Sequence, residues 1–221
     1  EVGFEAATNA GGGSNATVTY SNVDGGSDSA TITLDESDLG GAGGNNGLTA
    51  NGIESLTLRA VGDGASSIET LVADAASTVV VTGDQGLSIA RALDTDTGTG
   101  LDQVLQLLDA ATAGGPVSVA TGDLDNEFTY LGTDSGDTVN AIAATAGVTI
   151  NSGAGNDTLT LGTAGDDTVD AGAGDDIVNI NDNLTQTDDV NGGAGSGDIW
   201  AASAAVLDGL EGDTDALGAL S

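Results

Sequence analysis

The 221-residue chain contains no cysteine, histidine or methionine, and Arg59 and Arg91 are its only basic residues. Without cysteine there is no disulfide framework, no thiol nucleophile and no thiolate metal site. Without histidine, the commonest general base and the usual zinc ligand are both missing. Two arginines cannot form the basic clusters that phosphate backbones need, so no nucleic acid partner is expected, and docking on an anionic membrane surface is disfavoured for the same reason. The lack of lysine removes any Gly-rich phosphate loop of the P-loop kind. Aromatic residues are few (Phe4, Tyr20, Phe128, Tyr130 and Trp200), and proline occurs once, at Pro116. No apolar run approaches the roughly 20 residues of a membrane span, so no transmembrane segment is expected. The chain opens at Glu1 with no signal peptide pattern and no Met, and reads as a processed product or a piece of something longer.

Acidic residues and glycine are abundant. Thirty-five Asp and Glu set the formal charge at −33, and this excess opposes compaction by self-repulsion. Cations are therefore the natural partners. An adaptation to high salt would account for the acidity but not for its regular placement after glycines. The 37 glycines are too many for ordinary helices or sheets and show no three-residue collagen period. The hydrophobic fraction, 38 %, is mostly Ala, Val, Leu and Ile, which suits thin stacked strands better than a thick interior.

The most informative stretch is Ser152 to Asn179: SGAGNDTLT, a spare Leu161, then GTAGDDTVD and AGAGDDIVN. These are three nine-residue units on the pattern small-x-x-Gly-x-Asp-x-aliphatic-x. Gly155, Gly165 and Gly174 permit tight turns with φ > 0. Asp157, Asp167 and Asp176 place hard carboxylate oxygens at the end of each turn. Leu159, Val169 and Val178 follow as single inward apolar residues of short strands. This is the calcium-binding β-roll repeat G-G-x-G-x-D-x-U-x, with its first glycine eroded to Ser152, Gly162 and Ala171. The expected ligands are the carboxylates of Asp157, Asp167 and Asp176 with the carbonyls of Gly153, Gly155, Gly165, Gly172 and Gly174. Degenerate copies at Gly132–Asn140 and Gly192–Trp200 add Asp137 and Asp198 as candidates. Two units make one coil, so Asp137, Asp157 and Asp176 should line one edge, with Asp167 on the other and Asp188 or Asp189 next above it. Asp84 and Asp123, each after Thr-Gly, read as turn formers.

Upstream, TVTY (Thr17–Tyr20) and ATITL (Ala30–Leu34) fit either a hairpin or two successive solenoid strands. Gly40–Gly52 reads as a Gly/Asn-rich loop and a boundary. IESLTL (Ile53–Leu58) recurs as IETLVA (Ile68–Ala73), and STVVVTGD (Ser77–Asp84) as PVSVATGD (Pro116–Asp123), which argues for stacked coils. LDQVLQLLDAA (Leu101–Ala111) has apolar positions on a helical face and predicts a short helix. The segment after Trp200 predicts a short helical cap over the open end, with Trp200 over the last rung. The expected fold is thus all-β, a parallel β-solenoid or β-roll with one or two short helices. Its parts are an N-terminal β segment (1–51), a solenoid (52–130), a calcium-binding roll (131–200) and a cap (201–221).

Catalysis has little support. Asp166/Asp167 and Asp175/Asp176 are acid pairs, but one member of each is expected to face a cation and the other water. No serine sits in a G-x-S-x-G elbow, and a triad lacks its histidine.

The nonapeptides resemble those of repeat-in-toxin (RTX) proteins. GIESLTL at Gly52, IETLVADAASTVVVTGDQGLSIA at Ile68 and the 152–179 repeats together resemble RTX-type bacterial surface-layer proteins, over roughly residues 17–200. That resemblance implies type I secretion, folding outside the cell on binding calcium, and self-association into a lattice or filament on the bacterial cell surface. It also implies a cell-surface polysaccharide as a further partner. The chain is then expected to be a structural protein and not an enzyme. A calcium-binding segment of a large RTX adhesin, or the non-catalytic RTX tail of a secreted hydrolase, are the alternatives.

Overall fold

The computed structural model describes residues 3–6, 16–17, 26–40, 47–91, 104–122, 124–181, 184–185 and 187–202. Within them the chain winds as a parallel β-solenoid, laying strands alternately into two facing sheets. The first sheet holds, in spatial order, β1 (Gly3–Ala6), β3 (Ser29–Asp35), β6 (Ser55–Val61), β8 (Thr78–Gly83), β10 (Leu107–Asp109), β12 (Phe128–Leu131), β14 (Val148–Asn151), β16 (Thr168–Asp170) and β18 (Asp189–Asn191). The second holds β2 (Ala16–Thr17), β5 (Gly47–Thr49), β7 (Ser66–Val72), β9 (Leu87–Arg91), β11 (Val117–Ala120), β13 (Thr138–Asn140), β15 (Thr158–Thr160), β17 (Ile177–Asn181) and β19 (Ile199–Ala202). The short β4 (Asp38–Leu39) also pairs with β7. Both sheets run through positions 51/52 and 130/131 without a break.

One open choice is decided and two expectations are corrected. Of the two readings open for TVTY and ATITL, successive solenoid strands is the one that fits: β2, which ends at Thr17, and β3 lie in opposite sheets and pair in parallel with β5 and with β1 and β6. The Gly40–Gly52 loop contains a strand, β5, whose Gly47 stacks so closely on the Thr70 carbonyl that a Cβ would not fit. No helix occurs among the described residues. Leu107–Asp109, inside the segment expected to be helical, is strand β10, in register with β8 on one side and β12 on the other. Leu108 and Ala110 are buried while Leu107 and Asp109 beside and between them are half-buried, an alternation with period two. The helical face at 101, 104, 105, 107 and 108 was a coincidence of a leucine-rich stretch, and two waiting parallel neighbours override local propensity. The expected cap lies outside the described residues beyond Ala202.

The interior narrows along the solenoid. Upstream strands are long and bury several aliphatics each: Leu56, Leu58 and Ala60 on β6, and Val79 and Val81 on β8. Phe128 and Tyr130 on β12 are the bulkiest fully buried side chains. Beyond them most strands contribute one inward aliphatic. Val139, Leu159 and Val178 stack in the second sheet, and Val169 and Val190 stack in the first. The spare Leu161 is buried too, just after β15. With so little apolar surface per coil, the turns carry an unusual share of the fold.

Candidate metal centre

Each coil has two turn regions, and the repeat aspartates form a column along each. On the edge that leads from the first sheet to the second, Asp137, Asp157, Asp176 and Asp198 lie one above another. The Asp157 carboxylate accepts the Asp137 backbone N–H (2.6 Å), Asp176 accepts that of Asp157 (2.8 Å), and Asp198 accepts that of Asp176 (3.0 Å). On the opposite edge Asp167 accepts the Val148 N–H (3.0 Å), and Asp188 accepts the Asp167 N–H (2.8 Å). Asp188 is therefore the residue above Asp167, and Asp189 opens β18. Every carboxylate spends one oxygen tying its coil to the coil before it.

The glycines make this stacking possible. Gly153 and Gly172 occupy the same place in successive turns with φ of 98° and 86°, and a Cβ on Gly172 would run into the Gly153 carbonyl. Their carbonyls accept the N–H groups of Ala173 (3.0 Å) and Ala194 (2.6 Å) one coil on, leaving a second lone pair on each oxygen. Gly155 and Gly174 also have positive φ on this edge, as does Gly165 on the other.

The second carboxylate oxygens distinguish the aspartates. Asp157 Oδ2 and Asp176 Oδ2 are buried and have no hydrogen-bond partner. Ser152 lies beside Asp157 and favours its ionised form, but its hydroxyl proton goes to the Ala171 carbonyl (2.8 Å). Asp137 is different. Its oxygens accept Val117 N–H (2.8 Å), Thr133 N–H (2.8 Å) and Tyr130 O–H (2.9 Å). The Thr133 hydroxyl, at 3.0 Å from both, divides its single proton between this carboxylate and the Ser135 carbonyl. Asp188 is closed off by the Thr185 N–H (2.6 Å). Asp198 is half-buried at the last described turn. Far upstream, the buried Asp28 Oδ2 also lacks a partner, and Glu54 accepts the Asp28 N–H (2.6 Å), the same carboxylate-on-amide device outside the nonapeptides.

The electrostatics follow from burial without a counter-ion. Burial pushes the Asp157 carboxyl up to about 6, with the Asp137 and Asp176 charges adding to it and the donated N–H opposing it. Asp167 is likewise pushed up to about 6 by burial, helped by Asp188 and Asp166. Asp176 is raised by burial and by Asp198 and Asp175. Strands stack about 4.8 Å apart, so neighbouring charges in a column repel by about 3 kcal/mol at an effective dielectric of about 20.

Asp166 and Asp175 face solvent while Asp167 and Asp176 are buried, so neither acid pair converges on a common point. Asp166 accepts the Thr187 hydroxyl (2.6 Å), and Asp175 accepts the Gly197 N–H (3.0 Å). Asp84 is exposed beside the positive-φ Gly83, as a turn former should be, and Asp123 lies outside the described residues. Among the described residues no three acidic side chains gather closely enough to hold a metal by themselves. A cation here would need main-chain oxygens beside one or two carboxylates, which is the mixed oxygen set calcium accepts. The turn sequence pointed to the ladder, but Tyr130 and Thr133 were not foreseen as partners of Asp137. The only available signal was a tyrosine at an inward strand position seven residues before that aspartate.

Compared with protein-family models, curated proteins and solved structures, the chain finds no match in any of the three.

Proposed function

We propose that this chain is a structural, calcium-dependent β-solenoid, secreted and self-assembling at a cell surface or in an extracellular polymer, with no enzymatic role. One observation carries the reading: buried carboxylate oxygens of Asp157 and Asp176 with no donor, in a column of like charges that no basic residue approaches in sequence. A buried unpaired charge is among the costliest features a fold can keep. A divalent cation supplies the opposite charge and the missing coordination. Asp157 and Asp176 would hold it on one edge with the turn carbonyls around Gly153, Gly155, Gly172 and Gly174. Asp167, with the Gly165 turn, would do so on the other. Asp198 would serve at the last described turn, and Asp137 is left out because its oxygens are already taken.

Linkage then makes calcium a folding signal. Glycine entropy and a charge of −33 favour the extended chain, which suits export through a narrow channel. Where calcium is plentiful, binding only to the folded state adds about 2.7 kcal/mol per site at a hundredfold excess over Kd. Circular dichroism across a calcium titration from chelator tests this. A spectrum of partial β content with a large coil component in chelator, gaining β signal as calcium is added, is expected, whereas a β spectrum unchanged by chelator or calcium would overturn the reading.

A further inference from the structure

We infer that the Tyr130–Asp137 network is a built-in junction, at which a cation-independent solenoid ends and hands its register to the cation-dependent coils. The inference rests on the calcium reading above and concerns where along the chain that dependence begins. Asp137 is the first aspartate of its column and occupies the same turn position as Asp157 and Asp176. Yet the fold satisfies its oxygens with hydrogen bonds instead of leaving them for a metal: Val117 and Thr133 N–H, the Tyr130 hydroxyl and a share of the Thr133 hydroxyl. Tyr130 is itself fully buried, and burial first, then the Asp137 charge, holds its phenol firmly protonated and donating. A buried aromatic side chain thus delivers a proton donor to the first carboxylate of the edge column.

The core changes at the same place. Before β12, the strands β3, β6, β7, β8, β9 and β11 each bury two of Leu, Ile or Val. After β12, most strands bury one. Among the described residues, the buried unpartnered carboxylate oxygens on this edge, Asp157 Oδ2 and Asp176 Oδ2, both come after it, and the one upstream, Asp28 Oδ2, lies on the turn leading from β2 to β3. Upstream coils therefore have the apolar area to hold themselves together, while downstream coils combine little apolar area with uncompensated charge. The main chain carries the template across, because Asp137 N–H is the donor that receives the Asp157 carboxylate (2.6 Å). Coil by coil, each placed aspartate presents the amide for the next, as nearest-neighbour assembly of a solenoid requires.

Hydrogen–deuterium exchange of the full chain, in chelator and in excess calcium, tests the junction. In chelator, amides of β6 to β12 are expected to be protected at least tenfold more than those of β14 to β19, and calcium should remove that difference. Protection that rises uniformly with calcium from β6 to β19 would overturn the junction while leaving calcium dependence intact. Protection unaffected by calcium everywhere would instead overturn the calcium reading. Tyr130→Phe keeps the ring and deletes the donor. It should extend calcium dependence upstream, so that β12 and β13 lose protection in chelator while β6 to β9 keep theirs. Asp137→Asn separates the roles further. If Asp137 belongs to the junction, the number of calcium ions bound per chain stays the same, and a loss of one would make it a ligand and sink the proposal.

Discussion

Asp137 and Asp157 are the same residue type at the same point of the turn one coil apart, and their second oxygens have opposite fates. Asp137 meets a tyrosine hydroxyl and a threonine amide, and Asp157 meets nothing. The consequence is measurable by substitution. Asp157→Asn or Asp176→Asn keeps an oxygen to receive the amide below but removes the charge a cation would use, so calcium affinity should fall by on the order of tenfold or more. Asp84→Asn, at an exposed turn, should change it by less than about twofold. Calorimetric titration of the three variants checks this, and equal affinities would remove the distinction. The pH dependence has an unusual sign. Asp157 and Asp167 are raised to about 6 in the cation-free fold, against about 3.9 in an unfolded chain. Between those values the folded state binds more protons than the unfolded one, so stability falls as pH rises from about 4 to about 6. Calcium-free protein should therefore melt at a higher temperature near pH 4.5 than near pH 7. A melting temperature that climbs over that window would show that these carboxylates are not buried in the cation-free fold.

At the scale of strands and turns, the nonapeptide was the most legible part of the chain. Its glycines, aspartates and aliphatics each have one geometric task, and Leu159, Val169 and Val178 are all buried as their spacing required. The two-edge arrangement followed from counting nine residues per half coil. Leu101–Ala111 was misread because a helix and a solenoid strand both accept leucine, and only neighbours distant in sequence, β8 and β12, decide between them. Tyr130 was missed for a related reason, since the partner of a turn residue came from the preceding strand, not from the repeat itself. The turns and the core make separable contributions that stability measurements can tell apart. Leu159→Ala leaves a cavity in a coil with few other apolar groups and should cost about 2–5 kcal/mol. Gly172→Ala should cost about 1–2 kcal/mol from its left-handed backbone alone, and more from the encounter with the Gly153 carbonyl. Gly26→Ala, with open space around it, should change stability by no more than about 0.5 kcal/mol. Denaturant unfolding in saturating calcium reads all three. A Gly172 variant as stable as the Gly26 one would mean that the turn column is not packed as described.

For the whole molecule, the remaining question is what −33 charges permit. Protomers this acidic repel one another at any distance within a Debye length, about 8 Å at physiological ionic strength. Simple salt shortens that length and weakens the repulsion between whole chains, but it does not fill a buried oxygen on Asp157 or Asp176. On the proposed reading calcium would do both, so folding and association should respond to different ions in different proportions. The outer strands β18 and β19 have a sheet neighbour on one side only among the described residues, and Ile177 and Ile199 stand exposed one above the other on the second sheet. A folded end of this kind offers strand edges and apolar surface to another copy once repulsion is lowered. Light scattering should then show association that rises with millimolar calcium. Sodium chloride at matched ionic strength should give little, because it screens without completing the coils. Magnesium should also act weakly, since it demands a tight octahedron and gives up its water reluctantly. Equal association with all three salts would assign assembly to screening alone. A chain that folds with calcium yet stays monomeric at every concentration would leave the metal sites standing and remove self-assembly from the proposed function.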